Sequence, residues 1–204
     1  VNNLFSLAGS TREYHWEFFT LPHKPNFAIH EVTQVHGAEI YPLDLENGEA
    51  DGLWTSLPHE ETSLAIKTAD CLAIAILGHK GASLIHAGWR GLKEKIHCHP
   101  ILKSLEPHTF LCAPAIQQVS YEVSKDFAKE FPNYPDSFLN DAQNRLTFSL
   151  QKTFASDIQE YFPDCQLTIS SIDTFAEEGL HSYRRDKTSR RNYNILRLSP
   201  VTPV

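Results

Sequence analysis

The sequence predicts an α+β fold with a mixed sheet, and three observations carry that reading. Apolar runs of strand length recur along the chain, two of them (72–77 and 82–86) separated only by the glycine-bearing turn Gly78-His79-Lys80-Gly81, which is a hairpin signature. Helical periodicity is confined to a few segments, clearest at Leu150, Phe154 and Ile158. Strands and helices are intermingled without the strict alternation that builds a doubly wound sheet. The length of 204 residues suits one domain over 1–204.

In chain order, residues 27–32 read as a strand leading into Thr33-Gln34-Val35-His36-Gly37. Residues 38–43 read as a second strand, closed by Pro42. The polar, glycine-bearing segment from Asn47 to Gly52 reads as a loop. Ser63 to Lys67 is a short strand, followed by the hairpin. After Gly88-Trp89-Arg90-Gly91 the pattern turns helical, with Leu92, Ile96, Leu102 and Leu105 among lysines and glutamates, interrupted at Pro100. Phe110 to Ala113 is a strand ended by Pro114. Residues 122–131 and 146–161 read as helices, 167–172 and 193–198 as strands. His97-Cys98-His99 falls in a Lys/Glu-rich helical stretch and reads as surface, without the methionine usual to a type 1 copper site.

Composition limits the function. The formal charge is −7, which argues against a nucleic-acid binder. The longest apolar run, Leu72 to Leu77, is far short of the roughly 20 residues that cross a bilayer. The start is neither basic nor followed by a long apolar stretch, and the four cysteines form no CxxC pair, so a cytoplasmic location with reduced thiols is expected. No methionine occurs, so the start is expected to be processed or truncated.

Three soft or borderline ligands sit at ends of expected strands: His36, Cys71 in Thr68-Ala69-Asp70-Cys71, and His86 in His86-Ala87-Gly88-Trp89-Arg90-Gly91. Imidazole and thiolate are what zinc prefers, and three protein ligands leave a fourth position open for chemistry. Asp70, next to Cys71, reads as an outer partner or proton acceptor. The same residues fit a second chemistry, a Cys71 nucleophile with His86 or His36 as base. Ser182-Tyr183-Arg184-Arg185-Asp186 with Arg190-Arg191 is a basic cluster suited to phosphate or carboxylate, and Arg90 faces an anion or caps a helix. The P-loop, dinucleotide, HExxH, GxSxG and zinc base-deaminase motifs are absent.

Six blocks occur together in order: Gln34-Val35-His36-Gly37, Ala50-Asp51-Gly52, Thr68-Ala69-Asp70-Cys71, His86-Ala87-Gly88-Trp89-Arg90-Gly91, Tyr121-Glu122-Val123 and Ser182-Tyr183-Arg184-Arg185-Asp186. In this the chain resembles the YfiH-like proteins, also called laccase-domain or polyphenol-oxidase-like, from about residue 27 onward. The resemblance implies a mixed-sheet α/β sandwich of the CNF/YfiH-like type, with metal ligands at His36, Cys71 and His86. It implies a purine nucleoside phosphorylase acting on adenosine, inosine and methylthioadenosine, with adenosine deamination as a second activity and zinc as the metal, copper being the alternative. The expected catalytic residues are Cys71, His86, His36 and Asp70. Gln34, Arg90, Arg184 and Arg185 are expected to bind the nucleoside and phosphate. The protein is expected to be a monomer or small homo-oligomer. The resemblance implies one alternative, a copper-dependent polyphenol oxidase, and altered loops in this chain leave another, a metal-stabilised binding module without turnover.

The chain departs from the family pattern in four places. Glu13-Tyr14-His15 follows Ser10-Thr11-Arg12 where the family has glycines, and Ala113-Pro114-Ala115-Ile116-Gln117-Gln118 replaces Gly-Pro-x-Ile-Gly-Pro. Asp173-Thr174 replaces Cys-Thr, and Ser189-Arg190 replaces Gly-Arg. The substrate pocket is therefore where divergence is expected, rather than the metal site.

Overall fold

The computed structural model of the protein describes residues 4–45 and 48–201. Asn47, the first residue of the expected loop 47–52, lies outside them, as do the ends of the expected domain. The strands are β1 (Phe5–Ser10), β2 (Tyr14–Leu21), β3 (Ile40–Pro42), β4 (Gly52–Ser56), β5 (Thr62–Thr68), β6 (Leu72–Gly78) and β7 (Gly81–Ala87), then β8 (Pro107–Cys112), β9 (Phe138–Asn140), β10 (Leu146–Phe148), β11 (Gln166–Ile169) and β12 (Asn192–Pro200). The helices are α1 (Trp89–Lys93), α2 (Pro100–Ser104), α3 (Leu150–Tyr161) and α4 (Tyr183–Asp186). The fold is α+β with a mixed sheet.

The strands form a four-stranded antiparallel sheet, β1-β2-β12-β5, and a six-stranded mixed sheet, β11-β8-β6-β7-β4-β3, with β9 and β10 as a small separate pair. In the larger sheet β11–β8 and β3–β4 are parallel and the other pairs antiparallel. Side chains alternate across a strand, so β6 serves two cores. Leu72, Ile74 and Ile76 pack with Leu92, Ile96, Leu102, Phe110, Phe154 and Ile158 beneath the helices. Ala73, Ala75 and Leu77 pack with Tyr14, Phe18, Leu64, Ile66 and Leu196 between the sheets. Every residue of β6 and β7 is buried, which is why they read as near-continuous apolar runs. At the hairpin turn Gly81 has φ +154, and a Cβ there would strike the Thr55 carbonyl, so only glycine suits it.

Several expected elements differ. Residues 27–32 are not a strand: only His30 bridges, to Leu64, while Phe27 and Ile29 cover the outer face of the smaller sheet over Phe19, Ala65 and Ile195. Their apolar character reflects a lid on that face. The expected strand 38–43 shrinks to β3, followed by a 3-10 turn at Leu43–Leu45. The loop 47–52 ends as β4 begins at Gly52, and β1, β2 and β4 are not among the expected elements, although Tyr14-His15-Trp16-Glu17-Phe18 in β2 alternates apolar and polar residues at strand spacing. The helix after Gly91 breaks into α1, a 3-10 turn at Ile96–Cys98 and α2, because Lys95 adopts φ 58 and Pro100 starts a new helix capped by His99. Residues 122–131 hold only a 3-10 segment, Lys125–Glu130. In 146–161 the first three residues form β10, and Ser149 caps α3 through the Lys152 N–H.

His97 is likewise not at the surface: it is fully buried. Its Nε2 lies 2.7 Å from Asp157 Oδ2, while Asp157 Oδ1 accepts from Tyr134 Oη (2.7 Å) and Lys95 Nζ (2.9 Å). This cluster fastens the α1–α2 connection to α3. Burial alone would raise the Asp157 pKa, but hydrogen bonds from His97, Lys95 and Tyr134 outweigh it and hold the carboxyl low. A depressed folded pKa contributes stability above the unfolded value near 3.9 and loses it as pH falls through the folded value. Asp157→Asn is therefore expected to cost about 3–5 kcal/mol at neutral pH. Urea unfolding across acid pH checks this: the gap to the native protein narrows as Asp157 of the latter protonates.

Candidate metal centre

The larger sheet gathers the three expected ligands at one end. His86 is near the end of β7, Cys71 ends the β5–β6 turn, and antiparallel pairing of Leu72 with Ala87 sets the two side by side. His36 arrives on the loop before β3. The ligand atoms of His36, Cys71 and His86 lie within 4.8 Å of one another. The two imidazole rings meet edge to face, with centroids 4.8 Å apart. His36 has φ 62 and Asp70 has φ 95, so the loops bearing two of the ligands are held in left-handed backbone that non-glycine residues seldom adopt.

A carboxylate does stand behind the ligands, and it is Asp51 rather than Asp70. Asp51 is fully buried. Its Oδ1 lies 2.8 Å from His86 Nδ1 and accepts from the His36 N–H at 3.0 Å. Its Oδ2 accepts from the Gly37 N–H at 2.6 Å and the Val35 N–H at 3.3 Å. One side chain thus shapes the His36 loop and orients His86. Burial would raise its pKa, yet hydrogen bonds from His86 and the Gly37 and His36 amides bring it below the usual value, so Asp51 is a carboxylate and His86 Nδ1 carries the donated proton. Nε2 is then the atom left for Cys71 or a metal, the histidine–carboxylate arrangement common at zinc sites.

Burial disfavours charge on both Cys71 and His86, and their mutual attraction overcomes it. The thiol is drawn down to about 6 by His86 and His36. His86 is pushed up to about 9 by Cys71 and Asp51. The thiolate so favoured is the form that binds metal. Gly88 completes the cradle: a Cβ there would come within 3.1 Å of Cys71 Sγ and 3.8 Å of His86 Nε2, filling the space the donors face. Two nitrogen donors, one sulfur donor, a carboxylate behind and room in front fit a zinc-type ion with an open position.

Two cavities flank the trio. One, about 550 Å³, is bordered by His36, Cys71 and His86 with Gln34, Lys67, Tyr183 and Arg191. The other, about 330 Å³, is bordered by His36 and Cys71 with Asp70, Trp89, Arg90, Tyr121, Tyr183 and Arg184. A larger hollow of about 800 Å³, beside Trp16, His79 and His108, touches none of the trio and lacks its donor geometry.

The other expected site residues divide. Arg90 is exposed at the second cavity, stacked over Trp89 at 4.5 Å. Arg184 reaches the same cavity, lies over the Tyr121 ring and donates to the Glu122 carbonyl. Asp70 has its carboxylate occupied by the Thr174 hydroxyl at 2.8 Å and the Arg184 N–H at 2.7 Å. Gln34 spends its side-chain amide on the backbone of Lys67, at 2.8 Å in both directions. Arg185 borders neither cavity. Its guanidinium donates to the carbonyls of Thr174, Phe175, Glu177 and Leu180 and to Asp186, which leaves it no donor for phosphate. It ties a loop together. The divergent residues also meet: Asp173 accepts from the Gln117 N–H and the Ser120 hydroxyl, joining the two altered blocks beside the second cavity.

The family described as multi-copper polyphenol oxidoreductase laccase matches residues 16–198. A purine nucleoside phosphorylase of Aquifex aeolicus (strain VF5) is 33% identical over 148 residues, which covers 70% of this chain and 68% of the relative. A purine nucleoside phosphorylase of Campylobacter jejuni is 28% identical over 183 residues, 82% of this chain and 76% of the relative. Among solved structures, Neisseria meningitidis protein NMB0706 superposes with a TM-score of 0.76 at 17% identity, over 95% of this chain and 99% of that one. Bacillus licheniformis hypothetical protein YfiH gives 0.72 at 18% identity, over 90% and 92%. At these identities the two structures establish a shared fold.

Proposed function

The chain belongs to the multi-copper polyphenol oxidoreductase laccase family, and we propose that within it this protein is a zinc-dependent purine nucleoside phosphorylase with adenosine deamination as a second activity. The observation that carries the reading is the His36–Cys71–His86 trio, backed by Asp51 and open towards two cavities. The names borne by the relatives of Aquifex aeolicus and Campylobacter jejuni support the phosphorylase assignment. A multi-copper oxidase would need further converging histidines. Among the described residues one His/Cys/Asp/Glu group has this geometry, which favours the phosphorylase. No helix among the described residues is long and apolar enough to cross a membrane.

Phosphorolysis breaks the bond between C1′ of the ribose and the purine nitrogen, while an oxygen of inorganic phosphate bonds to C1′. The purine leaves with the bonding pair and takes up a proton. Deamination instead adds water at C6 and releases ammonia. A zinc ion held by His36, Cys71 and His86 would supply Lewis acidity to an oxygen of phosphate or water. Arg90 and Arg184 meet the charge on phosphate at the cavity they border. Tyr121, Trp89 and Tyr183 give flat faces for a purine. Asp70 acts as a positioning residue, since both its oxygens hold Thr174 and the Arg184 backbone. Asp51 keeps His86 in the tautomer that presents Nε2.

The test is a product assay on the zinc-loaded protein with adenosine, inosine and methylthioadenosine, with and without phosphate. Free base that forms only with phosphate is the expected result, together with inosine from adenosine in its absence. No turnover of any of the three would overturn the assignment.

A further inference from the structure

Next to the 550 Å³ cavity lies another hollow of about 750 Å³, and Lys67 and Arg191 border both. His23, His181 and Arg190 add to the second. No aspartate or glutamate borders either one, although the chain as a whole carries a formal charge of −7. Lys67 is already paired with Glu31 at 3.0 Å. Arg190 and Arg191 have no carboxylate partner among the described residues. Arg191 Nη1 donates to the carbonyls of Thr188 and Arg190, which anchors one edge of the guanidinium. Its Nε and Nη2 have no acceptor among the described residues. A solvated loop would account for either arginine alone. It does not account for two unneutralised cations at a carboxylate-free hollow that shares Lys67 and Arg191 with the cavity bordered by the trio.

An anchored guanidinium with free donors is suited to a phosphoryl group, which it can grip with two parallel hydrogen bonds. We propose that the site takes nucleosides already phosphorylated on the sugar, with a nucleoside 5′-monophosphate reaching from the trio past Lys67 and Arg191 so that its phosphate meets Arg190 and Arg191. The inference rests on the phosphorylase reading and names its substrate class. The step balances in the same way: the C1′–purine bond breaks, inorganic phosphate bonds to C1′, and the products are ribose 1,5-bisphosphate and the free base, which takes up a proton.

The phosphoryl group bound here could instead be the inorganic co-substrate, and the test separates the two sources. Calorimetric binding of adenosine and of adenosine 5′-monophosphate to the purified protein is compared with phosphorolysis of each. The 5′-monophosphate is expected to bind ~10-fold or more tightly, by a margin that shrinks with added salt. Arg190→Ala is expected to reduce that margin while leaving adenosine binding and the KM for inorganic phosphate unchanged, and Arg190→Ala with Arg191→Ala to abolish it. Equal binding of the two ligands, a margin that survives the double variant, or a raised KM for inorganic phosphate in Arg190→Ala would overturn the proposal. Turnover of adenosine without the margin sinks this inference alone. A margin without turnover of either compound sinks the phosphorylase reading, while the phosphate site stands.

Discussion

Cys71→Ala is expected to give a folded protein that neither holds its metal nor turns over nucleoside. Cys71 sits in the β5–β6 turn, and the change removes one sulfur without disturbing the Leu72–Ala87 pairing that follows. The trio is left with two imidazoles and no anionic ligand, so a divalent ion loses both a bond and the charge that neutralises it. The loss in kcat/KM is expected to be on the order of 10³-fold or more, beyond the roughly 10–100-fold typical of losing an outer partner. Metal content of the zinc-loaded protein by elemental analysis should fall to a small fraction, while the metal-free variant still unfolds cooperatively, at a lower temperature because the Cys71–His86 pair is broken. Full activity in this variant would remove the metal-centred mechanism.

Asp51→Asn is expected to damage stability and metal binding together. The carboxylate accepts from three backbone amides and from His86, and an asparagine of the same shape must turn an NH₂ towards donors on one side or the other. If it faces Gly37, the His36 loop loses its anchor. If it faces His86, the imidazole loses the acceptor that fixes its tautomer. Buried donors left unsatisfied beside a broken ion pair cost about 3 kcal/mol or more. Metal affinity should fall by roughly 10–100-fold. Denaturant unfolding and competition with a chelator measure the two effects. Native-like metal affinity in a destabilised protein would show that Asp51 supports only the loop.

The two variants probe different depths of the site, and they were not equally legible. Cys71, His86 and His36 stood out in sequence by donor type at expected strand ends, which left a cysteine nucleophile equally open, and the six-block resemblance pointed to them as metal ligands. Asp51 belongs to a block that stood out, Ala50-Asp51-Gly52, yet an acid before a glycine reads as an ordinary turn residue. Only pairing of β4 with β7, which sets Gly52 opposite Ile85, brings Asp51 under His86. Arg185 failed in the opposite sense: its charge and motif suggested phosphate, but four backbone carbonyls and Asp186 surround it. His97 looked exposed among lysines and proved to be buried against Asp157, 60 residues further on.

The amino-acid sequence by itself determined the class of fold, the central hairpin, the core face of α3, and which side chains stand as candidate donors. These rest on periodicity, turn residues and donor type, which are properties of neighbours along the chain. The tertiary structure alone decided which carboxylate backs the histidine, which arginines stay free, and that Phe27 and Ile29 cover a sheet instead of joining one. Those outcomes depend on contacts between residues tens of positions apart, where burial and competing hydrogen-bond acceptors outweigh local preference.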